Sequence, residues 1–265
     1  MTTYTATAVL TDGTTGASTS ATASFTVTDV THSGIFFGVN QNHYTDMAAQ
    51  VAPIRIQRSF KGLSNGWPPM PAGQVAHWSI NPGYTDLMAG KLDTQIVTEL
   101  KKAPPNSLLT AWHEPELHSG LTSGPTMSQM ADINHYMLAL VHKTTKNVKY
   151  GPVITAHADA GWCVAGMDFY GVDSYDWAGF ADPTNELNNW SARMPSGPYV
   201  VAETNTMKPD KRPMWFNGIY AWLKANGGIA METFWNPTGS LSGPWLPTDT
   251  ATIAALNAIA ADAAP

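Results

Sequence analysis

The chain has 265 residues, enough for one large domain or two small ones, and 43% of them are hydrophobic, so a sizeable core is within reach. With 14 Lys and Arg against 20 Asp and Glu, and no basic run, it lacks the electrostatic footprint of a nucleic-acid or anionic-membrane binder. Charged residues make up only 13% of the chain beside ten Trp, a composition that suits an extracellular protein handling neutral ligands.

No apolar run approaches the roughly 20 residues that span a bilayer, and Met1 to Leu10 lacks the basic and apolar regions of a signal peptide. The expectation is therefore a secreted or virion-associated protein, its chain processed, excised from a longer protein or exported by another route, with no membrane partner. Cys163 is the only cysteine; it cannot form an intramolecular disulfide and reads as a small buried side chain.

Residues 1–31 stand apart. YTATAVL and ASFTVT alternate as strands do and flank the turn-rich TDGTTGASTSAT, which predicts a β-hairpin. Two strands alone are marginal in water, so this hairpin is expected to pack on the following domain or to be the edge of a lost sandwich. It resembles the last two strands of an immunoglobulin-like module.

From residue 32 to 265 short apolar runs end in polar or aromatic residues. Eight strands are predicted: Ile35 to Asn40, Ile54 to Phe60, Val75 to Asn81, Ser107 to Trp112, Val148 to Thr155, Met167 to Tyr175, Tyr199 to Thr204 and Ile229 to Trp235. Helical patterns precede the fourth strand (LMAGKLDTQIVTELKK), the fifth (MSQMADINHYMLALVHKTTK), the seventh (NELNNWSAR) and the eighth (RPMWFNGIYAWLKANG), and ATIAALNAIAADA follows the last. No clear helix follows the first two strands. Alternating strand and helix implies parallel strands, and eight units in about 230 residues is the size of an α/β (β/α)8 TIM barrel. A doubly wound sheet is the rival, but no Gly-rich phosphate loop follows the first strand.

In such a barrel the chemistry sits where the strands end. The fourth strand delivers Trp112, His113 and Glu114, the sixth Asp173 and Tyr175, the seventh Glu203, and the eighth Trp235. Glu114 and Glu203 follow apolar strands, where a carboxylate is costly unless paired or used. Strands four and seven face each other across a barrel, and cleaving a glycosidic bond needs two carboxyl groups. Retention of configuration requires them about 5 to 5.5 Å apart.

WHEPE, MDFYGVDSYD, VVAETNT and FWNP, in that order over roughly residues 34 to 262, resemble the motifs of clan A retaining glycoside hydrolases. The nearer likeness is to family 26, the β-mannanase-like enzymes and their actinobacterial and phage relatives, in which a His precedes the acid/base. The resemblance implies Glu114 as general acid/base, Glu203 as nucleophile, Tyr175 hydrogen-bonded to the nucleophile and Trp235 as a floor beneath the sugar. Pro115 and Glu116 depart from the family pattern after that His, so mannan specificity is not implied.

Further expectations concern the remaining strand ends. His113 and Arg58 orient Glu203 or, alternatively, form a core histidine and a rim salt bridge. Trp112, His77, Asn40 and Asp173 join Trp235 as substrate-binding candidates. Glu114 has its own alternative as a cap for the helix that Pro115 would start, and Glu116 is read as supporting. Zinc is not expected, because Leu117 stands where an H-E-x-x-H motif needs its second His and Pro115 interrupts the helix. The resulting expectation is a retaining, endo-acting hydrolase of a neutral β-linked polysaccharide or oligosaccharide, needing no cofactor. The alternatives are a non-catalytic carbohydrate-binding or phage tail-associated barrel, and a cell-envelope glycan hydrolase.

Overall fold

The computed structural model describes residues 2–11, 15–16, 18–27, 33–40, 47–60, 62–67, 70–120, 124–176, 182–233 and 249–263. The chain divides into two compact units, Met1–His32 and Ser33–Pro265. In the first, β1 (Thr2–Thr11) and β2 (Ser18–Val27) pair antiparallel from Thr2 opposite Val27 to Thr11 opposite Ser18.

In the second unit, nine described strands form one parallel sheet: β3 (Phe36–Asn40), β4 (Ile56–Ser59), β5 (Val75–Ile80), β6 (Ser107–Ala111), β7 (Val148–Tyr150), β8 (Val153–Thr155), β9 (Tyr170–Asp176), β10 (Tyr199–Thr206) and β11 (Gly228–Thr233). Their order is β7-β6-β5-β4-β3-β11-β10-β9-β8. The two edge strands are successive pieces of one stretch, parted by Gly151 and Pro152. Pro152 has no N–H for a ladder, which is why the predicted strand from Val148 to Thr155 is split. The backbone still bridges both sides: the Gly151 N–H donates to the Leu109 carbonyl at 3.2 Å, and the Gly171 N–H donates to that of Pro152 at 2.8 Å. The sheet thus closes on itself with eight strand positions, a (β/α)8 barrel.

The helices fall close to their predicted places: Met127–Thr144, Pro183–Ser191, Arg212–Ala225 and Thr250–Asp262. Thr126 opens the first of these with a capping box shared with Gln129, and Asp182 and Asp249 cap two others. The single helix predicted across residues 87–102 is instead two, Tyr84–Met88 and Asp93–Leu100. Gly90, at φ 69°, sits in the left-handed region where a helix ends.

Period-two alternation sorts the strand residues between two cores. Phe37, Val39, Trp78, Ile80, Leu109, Tyr170, Val172, Val201 and Met231 face the helices in the large outer core. Ile56, Val75, Leu108, Val153, Phe169, Val200, Ala202 and Ala230 form a second, inner core within the barrel. Each fully buried Val, Leu or Phe contributes about 1.5–3 kcal/mol. Gly38 lets β3 approach β4, because a Cβ there would lie 1.7 Å from the Ile56 carbonyl oxygen. One step further along the inward-facing positions, the barrel changes character: Arg58, His77, Thr110, Asp173 and Glu232 are all buried there.

Candidate active site

Two backbone irregularities aim the site. Trp112 and Glu114, on either side of His113, have φ of 56° and 47°. Left-handed geometry costs a non-glycine residue roughly 1–2 kcal/mol, and it is held by neighbours on both sides. The Trp112 N–H donates to the Ile80 carbonyl at 2.7 Å, and the Glu114 N–H donates to that of Val153 at 3.0 Å. The kinked backbone carries His113 and Glu114 off the end of β6 toward the mouth. Glu114 occupies the cap position of the short Pro115–His118 helix, but its side chain makes no capping hydrogen bond, so capping does not account for the carboxylate. Glu116 does the anchoring: its Oε1 accepts from the Thr155 N–H at 2.5 Å and ties this helix to β8.

The second irregularity is a register shift in β10 between Val201 and Glu203, both of which still pair with β9. Under strict alternation Glu203 would follow Val201 toward the helices. The bulge reverses that parity. Ala202 lies in the inner core, Glu203 pairs with inward-facing Asp173, and the Thr204 hydroxyl accepts from the Trp215 indole of the surrounding helix at 2.8 Å. Arg58 braces the bulge, donating to the Ala202 carbonyl at 2.8 Å.

Around Glu203 the polar groups interlock. Tyr175 donates its hydroxyl hydrogen to Glu203 Oε2. The fully buried Arg58 guanidinium lies 3.9 Å from Glu203 and 3.5 Å from Asp173, and reaches Ser79 Oγ at 3.3 Å. It also lies 2.7 Å from His113 Nδ1. A guanidinium can only donate, so Nδ1 accepts and the ring proton resides on Nε2. Burial, then the Arg58 charge, pushes the His113 pKa well down, which keeps the ring neutral. Its Nε2–H faces three carboxyl groups: Asp173 at 3.2 Å, Glu114 at 3.5 Å and Glu203 at 3.6 Å.

These distances put the nearest oxygens of Glu114 and Glu203 no more than about 7 Å apart, a bound that admits the ~5–5.5 Å of retaining pairs and the lower end of the ~6.5–9.5 Å span of inverting pairs. Electrostatics separates the two groups further. Burial, then the charges of Glu203 and Glu116, raises Glu114 to about 7. Burial also raises Glu203, but Arg58 and the Tyr175 hydrogen bond oppose it. Arg58 and Tyr175 thus favour the ionised form of Glu203, and the charge of Glu203 favours the protonated form of Glu114. Asp173, pushed well up by burial and by Glu203, is the third member of the cluster.

Ligand atoms of His113, Glu114 and Asp173 lie within 4.8 Å of one another. Arg58 supplies positive charge beside this group, 2.7 Å from His113 Nδ1 and 3.5 Å from Asp173.

The structure thus brings together Glu114, Glu203, His113, Tyr175, Arg58 and Asp173. Three of the expected substrate-binding residues are buried. His77 is fully buried, its Nδ1 2.6 Å from Glu232 Oε1 and its Nε2 3.1 Å from Thr110 Oγ1, so it faces the barrel interior. Asp173 is also buried and serves Arg58 and His113 instead of an entering ligand. Trp112 is 6% exposed, packs in the outer core, donates its indole N–H to the Pro82 carbonyl at 2.8 Å and borders a cavity of ≈ 250 Å³ with Tyr84, Pro125 and Gln129. Trp235 and the side chain of Asn40 lie outside the described residues.

Sequence reasoning missed Glu232 and Phe60. Alternation in IAMET places Glu232 inward with Ala230, a signal that was available in the pattern. Phe60 is 42% exposed, with the Arg58 guanidinium 4.8 Å from its ring centroid and the His113 ring centroid at 5.0 Å. It lines a cavity of ≈ 240 Å³ with Gly62, Ser79, Asn81, His113 and His118. Cys163 is buried, as expected, and burial pushes its thiol up to about 12. No described helix is long and apolar enough to cross a membrane.

No protein-family model and no curated protein matches the chain. Solved structures do match in fold. A family 26 β-mannanase from Bacteroides ovatus has a TM-score of 0.58 at 11% identity, covering 87% of this chain and 89% of its own. A modular endo-β-1,4-mannanase from Cellulomonas fimi gives 0.53 at 15%, covering 88% and 72%. A family 128 (subgroup VII) oligosaccharide-binding protein from Cryptococcus neoformans gives 0.54 at 12%, covering 87% and 96%.

Proposed function

We propose that the chain is a retaining glycoside hydrolase acting on a neutral β-linked polysaccharide or oligosaccharide. The observation that carries this reading is the unequal carboxyl pair at the barrel mouth. Glu203 is held by Tyr175 and Arg58, which favour its ionised form, and Glu114 has its pKa raised to about 7 beside it. Glu203 attacks the anomeric carbon as Glu114 protonates the departing oxygen. Glu114, now ionised, takes a proton from water, and the resulting attack on the glycosyl ester releases Glu203. Neutral His113, which accepts from Arg58 at Nδ1, turns its Nε2–H toward the carboxyl cluster. Fold similarity to two mannanases supports carbohydrate as substrate, while mannan itself is left open by Pro115 and Glu116.

Similarity to an oligosaccharide-binding protein favours a second reading, a non-catalytic sugar-binding barrel. Release of reducing ends from a panel of β-glucans, mannans, xylans, arabinogalactan and peptidoglycan separates the two. With Glu114→Ala, azide should restore turnover of an aryl glycoside and give a glycosyl azide of retained configuration. With Glu203→Ala it should give the opposite anomer. Reversed anomers would exchange the two roles, and no reducing ends from any glycan would favour the binding module.

A further inference from the structure

Phe60 is one of four large hydrophobic side chains that stand exposed among the described residues, and it lies at the barrel mouth beside Arg58 and His113. It follows β4, the strand that carries Arg58, and the buried guanidinium lies over its ring. Exposed apolar surface is unremarkable when isolated, but this ring lines a concave cavity whose other described walls can all form hydrogen bonds. Those walls are the Ser79 hydroxyl, the Asn81 amide, the His113 and His118 imidazoles and the Gly62 backbone. A flat apolar face beside convergent polar groups matches a pyranose, which has an apolar C–H face and a rim of hydroxyls.

Charge narrows the ligand further. The described lining includes no carboxylate, lysine or arginine. His113 is kept neutral, and among the described residues the cation beside Phe60, Arg58, has a fully buried side chain that already faces Asp173 and Glu203. A uronate carboxylate entering the cavity would lose its hydration with no free cation among these residues to replace it. His113 lines the cavity and lies 3.6 Å from Glu203, so this pocket adjoins the reacting groups.

We infer that Phe60, with Ser79, Asn81 and His118, forms a subsite for one uncharged pyranose ring of the substrate, with Phe60 as its stacking platform. The inference rests on the glycosidase reading and adds to it a specificity-determining residue and a sugar charge class.

The test is calorimetric binding of mannohexaose, cellohexaose, xylohexaose and hexagalacturonate to the full chain carrying Glu203→Gln, which removes turnover. At least one neutral hexaose should bind, and hexagalacturonate should bind more weakly than that hexaose. Adding Phe60→Ala or Phe60→Leu should weaken the neutral hexaose by roughly ten- to a hundred-fold, the range expected for losing a buried aromatic contact, whereas Phe60→Trp should hold or strengthen it. Thermal melts that match the Glu203→Gln parent would assign the loss to the platform and not to the fold. Neutral binding indifferent to all three Phe60 substitutions, or preference for hexagalacturonate, would overturn the subsite while leaving the hydrolase reading intact. Absence of both binding and cleavage for every glycan would overturn the two together.

Discussion

The lower and upper halves of the barrel interior are built from the same strands and the same alternation, yet they do opposite work. Below, Ile56, Val75, Leu108, Val153, Phe169, Val200 and Ala230 close the barrel with apolar side chains. Above, the inward positions hold Arg58, His77, Asp173 and Glu232, and the bulge adds Glu203. The lower half is stabilised by burial. The upper half pays desolvation for every charge and recovers part of it through an interlocked set of ion pairs and hydrogen bonds. Stability and reactivity are thus stacked along one axis, a few residues apart, and mutations in the two layers should fail in different ways.

Glu203→Gln should have the largest effect, lowering turnover by at least about 10⁴-fold with the melting temperature kept or raised, as read by steady-state kinetics and calorimetry together. Glu114→Gln should cost on the order of 10²–10⁴-fold on polysaccharide. The loss should be much smaller on an aryl glycoside with a good leaving group, which needs little protonation. In the lower layer Phe169→Ala should instead cost about 3–5 kcal/mol of stability by chemical denaturation, with the residual folded fraction still active. If it abolished activity without loss of stability, the separation of layers would be wrong.

Smaller effects sharpen the contrast. Tyr175→Phe removes a hydrogen bond to a charged group, worth about 1.5–3 kcal/mol, so turnover should fall roughly ten- to a hundred-fold. The pH–rate profile should be bell-shaped. Its acidic limb reflects Glu203, which must be ionised, and its alkaline limb should fall near pH 7 as Glu114 loses its proton. The same shift has a stability sign. The folded state holds the Glu114 proton more tightly than the unfolded chain, so this contribution is complete below the ordinary glutamate pKa and is lost as pH rises through about 7. Glu114→Gln should therefore melt higher than wild type at pH 8 and show little difference at pH 4.

Much of this was legible in the sequence because eight short apolar runs are interleaved with five helical stretches, and because a carboxylate directly after an apolar run is conspicuous. Glu114 and Glu203 stand out that way, Arg58 and His113 as polar strand ends, and the hydrogen bond of Tyr175 to Glu203 through the family resemblance. What escaped depends on which face of the sheet a residue takes. His77 was read as a strand end, but its register in β5 points it inward toward Glu232. Trp112 was read as a cleft aromatic, but its left-handed backbone returns the ring to the outer core beside Pro82. Alternation alone would have turned Glu203 away from the mouth; only the bulge, which no local sequence signal marks, restores it. Gly90 was absorbed into a predicted helix that it in fact ends.

The central claim is a division of labour, with Glu203 as nucleophile and Glu114 as proton carrier. Its most direct test is incubation with an activated 2-deoxy-2-fluoro glycoside of whichever neutral sugar the panel identifies, followed by mass spectrometry of the digested protein. The account predicts stoichiometric inactivation and a glycosyl adduct on Glu203. An adduct on Glu114, or undiminished hydrolysis of the native glycan with no adduct and inverted product, would contradict it.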